Sequence, residues 1–312
     1  MAVSAAPTPQ PFRTRLSAFF YRHRWLKLAL LLLPPLLWIC VVYLGALAAL
    51  LAHSLWTTND LTQEVERTWS LDNFRTLWET DVYRTITLRT VGIAAAVTIT
   101  DAILAFPLAY YMARYASARV RALMTLAVLM PLWSSYLVRV YFWKLILARE
   151  GVVSWIAAEL GLTSALEALL AVPGIGGPSL SVSPLGTFVA FVYVWLPYMI
   201  LPIYAALERI PPSLLEASGD LGARIGITFR RVILPLALPG IAAGSIFTFS
   251  LTMGDYIAPV LVSNTQFIGN VIYSNVGVAN NLPFAAAFTV VPIVIMAIYL
   301  TIVRRLGAFE GL

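Results

Sequence analysis

From Leu28 to Ala52 the chain carries no charged residue. A helix needs about 20 mostly apolar residues to cross the hydrocarbon core of a bilayer, so this stretch is long enough to span. It also exceeds the apolar core of a cleavable signal, which runs to about 15 residues, and is expected to remain as a first transmembrane helix. Five further apolar stretches near 86–112, 121–142, 186–206, 232–253 and 283–303 bring the expectation to six spans, with Asp101 and Arg139 interrupting or bordering the second and third. Composition agrees. Hydrophobic residues make up 60% of the chain and charged residues only 12%, against about 25% charged in a soluble domain. The expected fold class is all-α, a polytopic membrane protein.

Fourteen of the 21 Lys and Arg residues fall on one side of these spans. They are Arg13, Arg15, Arg22, Arg24 and Lys27 before the first; Arg114, Arg119 and Arg121 between the second and third; Arg209, Arg224, Arg230 and Arg231 between the fourth and fifth; and Arg304 and Arg305 after the last. The positive-inside rule places that side, with both termini, in the cytoplasm. Residues 1–25 are then a cytosolic tail, 26–306 the membrane domain, and 307–312 a short cytosolic end. The formal charge of +6 comes from clusters beside apolar runs, which suits lipid headgroups rather than nucleic acid. Cys40 is the single cysteine, and His23 and His53 lie far apart. Neither a disulfide framework nor a zinc cluster is available to them.

Between the fourth and fifth spans, loop 207–231 has the makings of an ordered helix. Pro211 and Pro212 suit a helix start, and Ser213 with Glu216 has the spacing of a capping box. A helix over about 213–221 puts Leu214, Ala217 and Leu221 on one face and Glu216 and Asp220 on another. Gly222 then suits a left-handed turn or a close backbone approach. In one reading Glu216 only caps its own helix, and the apolar face rests on neighbouring spans. In the other, the helix is gripped by a partner.

The loop resembles the "EAA loop" of ABC-importer permeases, whose pattern is Glu-Ala-Ala, three residues, Gly, nine residues, Ile, one residue, Leu-Pro. Glu216, Ala217, Gly222, Leu234 and Pro235 fall on it, while Ser218 and Val232 replace Ala and Ile. The likeness extends from about residue 28 to residue 305. Pro239-Gly240, Gly244 and Gly254-Asp255-Tyr256-Ile257-Ala258-Pro259 are similar to the spermidine/putrescine branch, as are Pro131 to Lys144 and Glu150-Gly151-Val152.

The resemblance implies a subunit of the bacterial inner membrane that forms a solute path and binds no cofactor itself. ATP-Mg would be held by two ATP-binding partner subunits. A second permease, expected to be a different chain, would complete the path, and an extracytoplasmic solute-binding protein would deliver a polyamine or similar small organic solute. It assigns coupling to Leu214, Glu216, Ala217, Ser218, Asp220, Leu221 and Gly222. Pro235, Pro239 and Gly240 would form a hinge.

Candidate path residues are Asp101, Trp133, Tyr136, Arg139, Tyr141, Trp143, Asp255 and Tyr256. A mid-membrane carboxylate costs about 2.5–3.5 kcal/mol on insertion scales, so Asp101 must face protein or water. It either lines the path of a cation or ties two spans together. The aromatic group around Arg139 is either an interfacial belt or a cation-attracting vestibule, with Arg139 paired to Asp255. The external stretch 54–85 is expected to hold a capped helix from Ser70 with Leu71, Phe74 and Leu77 or Trp78 on one side. A helical piece near 151–170 precedes a loop at 172–184. Such external segments either meet a partner or cap the helix ends.

The sequence contains no phosphate-binding Gly-x-x-x-x-Gly-Lys-Ser/Thr, no His-Glu-x-x-His and no Gly-x-Ser-x-Gly. No enzymatic activity is expected, which sets aside a membrane-embedded enzyme. A gradient-driven secondary transporter is the other alternative, and it would call for paired intramembrane charges and repeat symmetry.

Overall fold

A computed structural model describes residues 21, 23–59, 62, 64–263 and 265–305. The expected tail and C-terminal end, with Arg13, Arg15 and Arg22 among their topology-setting charges, fall largely outside the described residues. The chain divides into two units, Met1–His53 and Ser54–Leu312. The first contains α1 (Arg24–Trp38), a wide π turn (Ile39–Leu44) and α2 (Gly45–His53), which together form one helix long and apolar enough to cross a membrane.

The second unit opens with a two-residue hairpin, β1 (Thr57–Thr58) against β2 (Val65–Glu66), and α3 (Asp72–Glu79). The long helices follow: α4 (Asp81–Arg114), α5 (Ala118–Trp133), α6 (Tyr136–Ile146), two short external helices α7 (Val152–Glu159) and α8 (Thr163–Leu170), then α9 (Pro184–Glu208). Next come α10 (Pro212–Asp220), α11 (Ile225–Thr228), a π turn (Phe229–Ile233), α12 (Leu234–Gly254), α13 (Ile268–Gly277) and α14 (Leu282–Arg305). This is an all-α polytopic membrane protein.

The centre of the unit is the packing of α4, α9 and α12. On α4 the inward positions Ala94, Ala105 and Ala109 are small and fully buried, so backbones come close. On α12 the same role falls to Gly240 and Gly244. A Cβ at Gly240 would lie 2.5 Å from the Pro202 carbonyl oxygen, and one at Gly244 would lie 2.6 Å from Met199 Sδ. The Gly-xxx-Gly spacing is therefore a contact surface for α9, as small-residue interfaces are in lipid, where apolar burial alone does not drive helices together.

Several expectations need correction. The third span is not one helix, because α5 and α6 meet at 97°. Pro131 lacks an amide proton, Ser134 Oγ and Ser134 N both donate to the Pro131 carbonyl, and Ser134 and Ser135 are extended, so the helical ladder stops there. Five helices pass as spans, and the bent pair supplies a sixth. The fifth crossing does not begin near 232 but runs from Ile225 to Gly254, which draws Arg230 and Arg231 inside the helix.

The helix expected from Ser70 starts at Asp72, with the Ser70 hydroxyl accepting from the Asp72 amide. Leu77 and Phe74 pack inward while Leu71 and Trp78 stay exposed. The 151–170 piece is two helices rather than one.

Candidate functional site

Helix α10 begins at Pro212, one residue before the sequence spacing suggests, with extended Pro211 as its N-cap. Ser213 is thereby inside the helix, and the Ser213–Glu216 capping box does not form. The rigid φ of two consecutive prolines sets the start in its place.

The other end closes in a Schellman turn. Gly222 has φ +74°, its amide donates to the Gly219 carbonyl at 2.8 Å, and the Ala223 amide donates to Ser218 O at 3.0 Å. Nothing lies within 4 Å of where a Gly222 Cβ would be, so its task is the turn and not a close approach.

The inward face of α10 is Leu215 and Ser218. Leu215 packs against the cluster of Met112, Leu207, Ile210 and Ile233, and the Ser218 hydroxyl shares a 2.8 Å hydrogen bond with Thr228 Oγ1. Leu214, Glu216, Ala217 and Asp220 face outward. Leu221 is 88% exposed and Ile225 is 90% exposed, an unusual amount of free apolar surface beside a polar loop. The expected shared face of Leu214, Ala217 and Leu221 thus does not rest on neighbouring spans.

A residue missed in the sequence holds this knob in place. Arg114, at the end of α4, donates through Nη2 to the Leu207 carbonyl at 2.9 Å and the Ile210 carbonyl at 2.8 Å. These are C-terminal carbonyls of α9 and its turn; Leu207 O also accepts the Ile210 amide at 3.3 Å. Arg121 and Tyr204 meet at Glu208 nearby, at 3.6 and 2.9 Å. A basic residue at a span end reads only as a topology signal in sequence.

Of the expected hinge, Gly240 is wedged against α9. Pro235 and Pro239 sit in the first turns of α12 and leave the carbonyls of Arg231 and Pro235 without their usual donors. The π turn just before them widens the same stretch.

The path candidates separate into three groups. Trp133 is 78% exposed and Tyr141 is also exposed, so both lie on the outer surface of the unit, whereas Trp143 is half-buried against Tyr193. Asp101 is fully buried on α4, and neither carboxyl oxygen has a hydrogen-bond partner among the described residues. Thr90, Thr98 and Thr252, by contrast, return their hydroxyls to carbonyls four residues back. The expected tie from Asp101 to another span is not made.

The third group meets at the end of α12 far from α10. Tyr136 donates its hydroxyl to Asp255 Oδ2, and Asp255 Oδ1 accepts from the amides of Ile257 and Ala258 at 2.8 and 2.9 Å. Arg139 does not pair with Asp255. Its guanidinium lies 5.9 Å from the Tyr136 ring centre, with Nε and Nη1 unpartnered among the described residues. Asp255 is itself needed as an acceptor for the turn that follows α12, which explains why Tyr136 and two amides take it. Burial pushes its carboxyl up, against the lowering effect of the Tyr136 and amide hydrogen bonds. Trp195, also missed in the sequence, stacks on Tyr136 with centroids 5.7 Å apart, and Tyr256 stacks on Tyr273 at 4.8 Å.

Six possible crossings, a mounted knob between the fourth and fifth, and a close-packed three-helix centre describe a transport permease. Residues 105–308 match the family described as binding-protein-dependent transport system inner membrane component, and the chain belongs to that family. It is 52% identical over 314 residues to the inner membrane ABC transporter permease protein YdcU of Escherichia coli K12, covering all of both chains. It is 29% identical over 238 residues to the spermidine/putrescine transport system permease protein PotB of Haemophilus influenzae, covering 76% of this chain and 79% of that one. A solved bacterial alginate ABC transporter, in complex with an alginate pentasaccharide-bound periplasmic protein, has a chain with TM-score 0.70 at 18% identity. The match covers 94% of this chain and 97% of that one. The protein is an ABC importer permease subunit of the inner membrane.

Proposed function

We propose that α10 is the joint through which a separate ATP-binding subunit drives this permease, and that the solute is a polyamine or a similar small organic cation. The single observation that supports the joint is the outward face of α10: Leu214, Ala217 and Leu221 exposed together beside Glu216, while Leu215, Ser218 and Arg114 hold the opposite side. Such a knob transmits a push because it is fixed to three elements. Packing of its apolar tip into a partner cleft is worth more than an exposed ion pair at Glu216, which contributes about 0–1 kcal/mol.

In this reading both termini and α10 face the cytoplasm, where ATP is available. Two ATP-binding subunits hold ATP-Mg, and a second, different permease chain completes the path. A solute-binding protein delivers cargo on the far side. Closure of the ATP-binding pair moves α10, and the Pro235–Pro239 stretch carries that motion into α12. The solute class draws its support from the likeness to the spermidine/putrescine permease, together with the carboxylate and aromatic rings around Asp255.

The test is co-purification in detergent with the ATP-binding subunit. Leu221→Arg, at an 88% exposed position, leaves the fold intact and lowers ATP hydrolysis stimulated by the loaded binding protein by about thirtyfold, the worth of a hot spot near 2 kcal/mol. Unchanged hydrolysis in that variant removes the assignment of α10.

A further inference from the structure

Helix α3 is apolar over a wider arc than the protein covers. At about 100° per residue, Leu77, Phe74, Trp78 and the cap residue Leu71 follow one another around about 120° of its circumference, and Arg75, Glu79, Asp72 and Thr76 take up about the next 100°. Leu77 is buried in a cluster with Ile86, Phe284 and Phe288, against which Phe74 packs. Leu71 and Trp78, on the same arc, are 67% and 76% exposed. The helix is held from turning to cover them, because Asn73 on its inner side donates through Nδ2 to the Ser54 and Trp56 carbonyls at 3.2 and 2.7 Å.

The level of α3 in the bilayer follows from α14. That helix has 24 residues, about 36 Å at 1.5 Å per residue, and ends at Arg304 and Arg305. About 20 residues of hydrocarbon counted back from Arg304 end at Phe284, which belongs to the cluster that buries Leu77. Helix α3 therefore lies where hydrocarbon meets headgroups, at the end of α4 away from Arg114. Indole rings favour that boundary. On the polar arc Arg75 Nε is 2.7 Å from Glu79 Oε1, and both side chains are exposed. The pair leaves no strong charge of either sign that would recruit a charged protein.

We propose that α3 is an interfacial helix, with Leu71 and Trp78 inserted at the headgroup–acyl boundary of the leaflet opposite α10 and with Asp72, Arg75, Thr76 and Glu79 in water. The inference rests on the membrane-spanning fold and is independent of the solute and of the role of α10. Insertion buries apolar surface that the protein itself leaves open. It also fixes the depth at which two crossings begin. Helix α3 runs into α4 across the single residue Thr80, and Thr58 in the adjoining hairpin donates to Asn281 Oδ1, which also accepts the Phe284 amide at the start of α14.

The test uses the full chain, purified with its partner subunits and placed in vesicles of phosphatidylethanolamine and phosphatidylglycerol. Cys40 is the single cysteine, so Cys40→Ser gives a background in which Leu71→Cys, Thr76→Cys and Trp78→Cys each carry one nitroxide label. Collision with oxygen, which concentrates in lipid, is compared with collision with a water-soluble nickel chelate. Labels at 71 and 78 are expected to meet oxygen and exclude nickel, at a depth of about 5–10 Å, and the label at 76 to show the reverse. High salt should leave all three unchanged, because the insertion is apolar.

Nickel access at 71 and 78 equal to that at 76 overturns the proposal and leaves the face to water or a soluble protein. Shielding of both from oxygen and nickel alike overturns it in favour of a second membrane subunit. If the Cys40→Ser background does not fold, the emission lost in Trp78→Phe gives the same answer. That emission is expected to be quenched by lipids brominated on the acyl chain and spared by iodide, and the opposite pattern overturns the insertion.

Discussion

The two ends of the α9–α12 pair are built by opposite means. At the α10 end, apolar side chains are thrown outward on a short helix that starts at two prolines and closes in a Schellman turn, with Arg114 bonded to the Leu207 and Ile210 carbonyls just before it. At the far end, polar groups are drawn inward around Asp255, and exposed apolar surface such as Trp133 faces away from the unit. One end carries exposed apolar shape; the other carries an inward-facing carboxylate. Between them α9 and α12 are held in close contact at Gly240 and Gly244.

That contrast can be broken at its middle. Gly244→Leu forces a side chain into Met199, whose Sδ is 2.6 Å from the would-be Cβ. Overpacking of this kind costs about 1–3 kcal/mol or more, so a drop in detergent melting temperature and loss of both solute uptake and stimulated hydrolysis are expected together. Retention of either activity at wild-type level would mean that the two ends work independently.

Arg114→Ala sharpens the contrast by disturbing one end alone. It removes the guanidinium donor from the Leu207 and Ile210 carbonyls, and loss of hydrogen bonds to a charged group costs about 1.5–3 kcal/mol. The knob is then loosened, and the number of solutes moved per ATP hydrolysed should fall while basal hydrolysis persists. Arg114→Lys recovers part of the coupling, since an ammonium still donates but not with a planar fork.

Glu216→Gln is the smallest change. Its side chain is exposed and caps nothing in the isolated chain. A reduction in stimulated hydrolysis of less than about fivefold, equivalent to 1 kcal/mol, is expected. A larger loss would assign the joint to charge instead of packing.

The helix and turn of α10 were largely legible in the sequence because their geometry is local. Pro211-Pro212, the small residues and Gly222 lie within a dozen positions and act on one another through the backbone. Even there, the assumed Ser213 cap gave way to proline geometry. The far end was only half legible: Tyr136, Asp255 and Tyr256 stood out as polar or aromatic residues at span ends, whereas Trp195 sat unremarked inside an apolar run. Its role depends on α6 lying beside α9, a long-range contact made possible by the 97° break at Ser134–Ser135. Consecutive serines after a proline mark a weak point, but the direction of the bend is decided by packing.

The π turn at Phe229–Ile233 has a consequence for how force is aimed. A turn of that kind accommodates one residue beyond the α-helical repeat, and one residue corresponds to about 100° around the axis. Everything on the α10 side of this turn is therefore rotated relative to the span by about 100°. Removing Arg230 or Arg231 would restore the α-helical repeat and turn α10 by about 100° about the axis of α12.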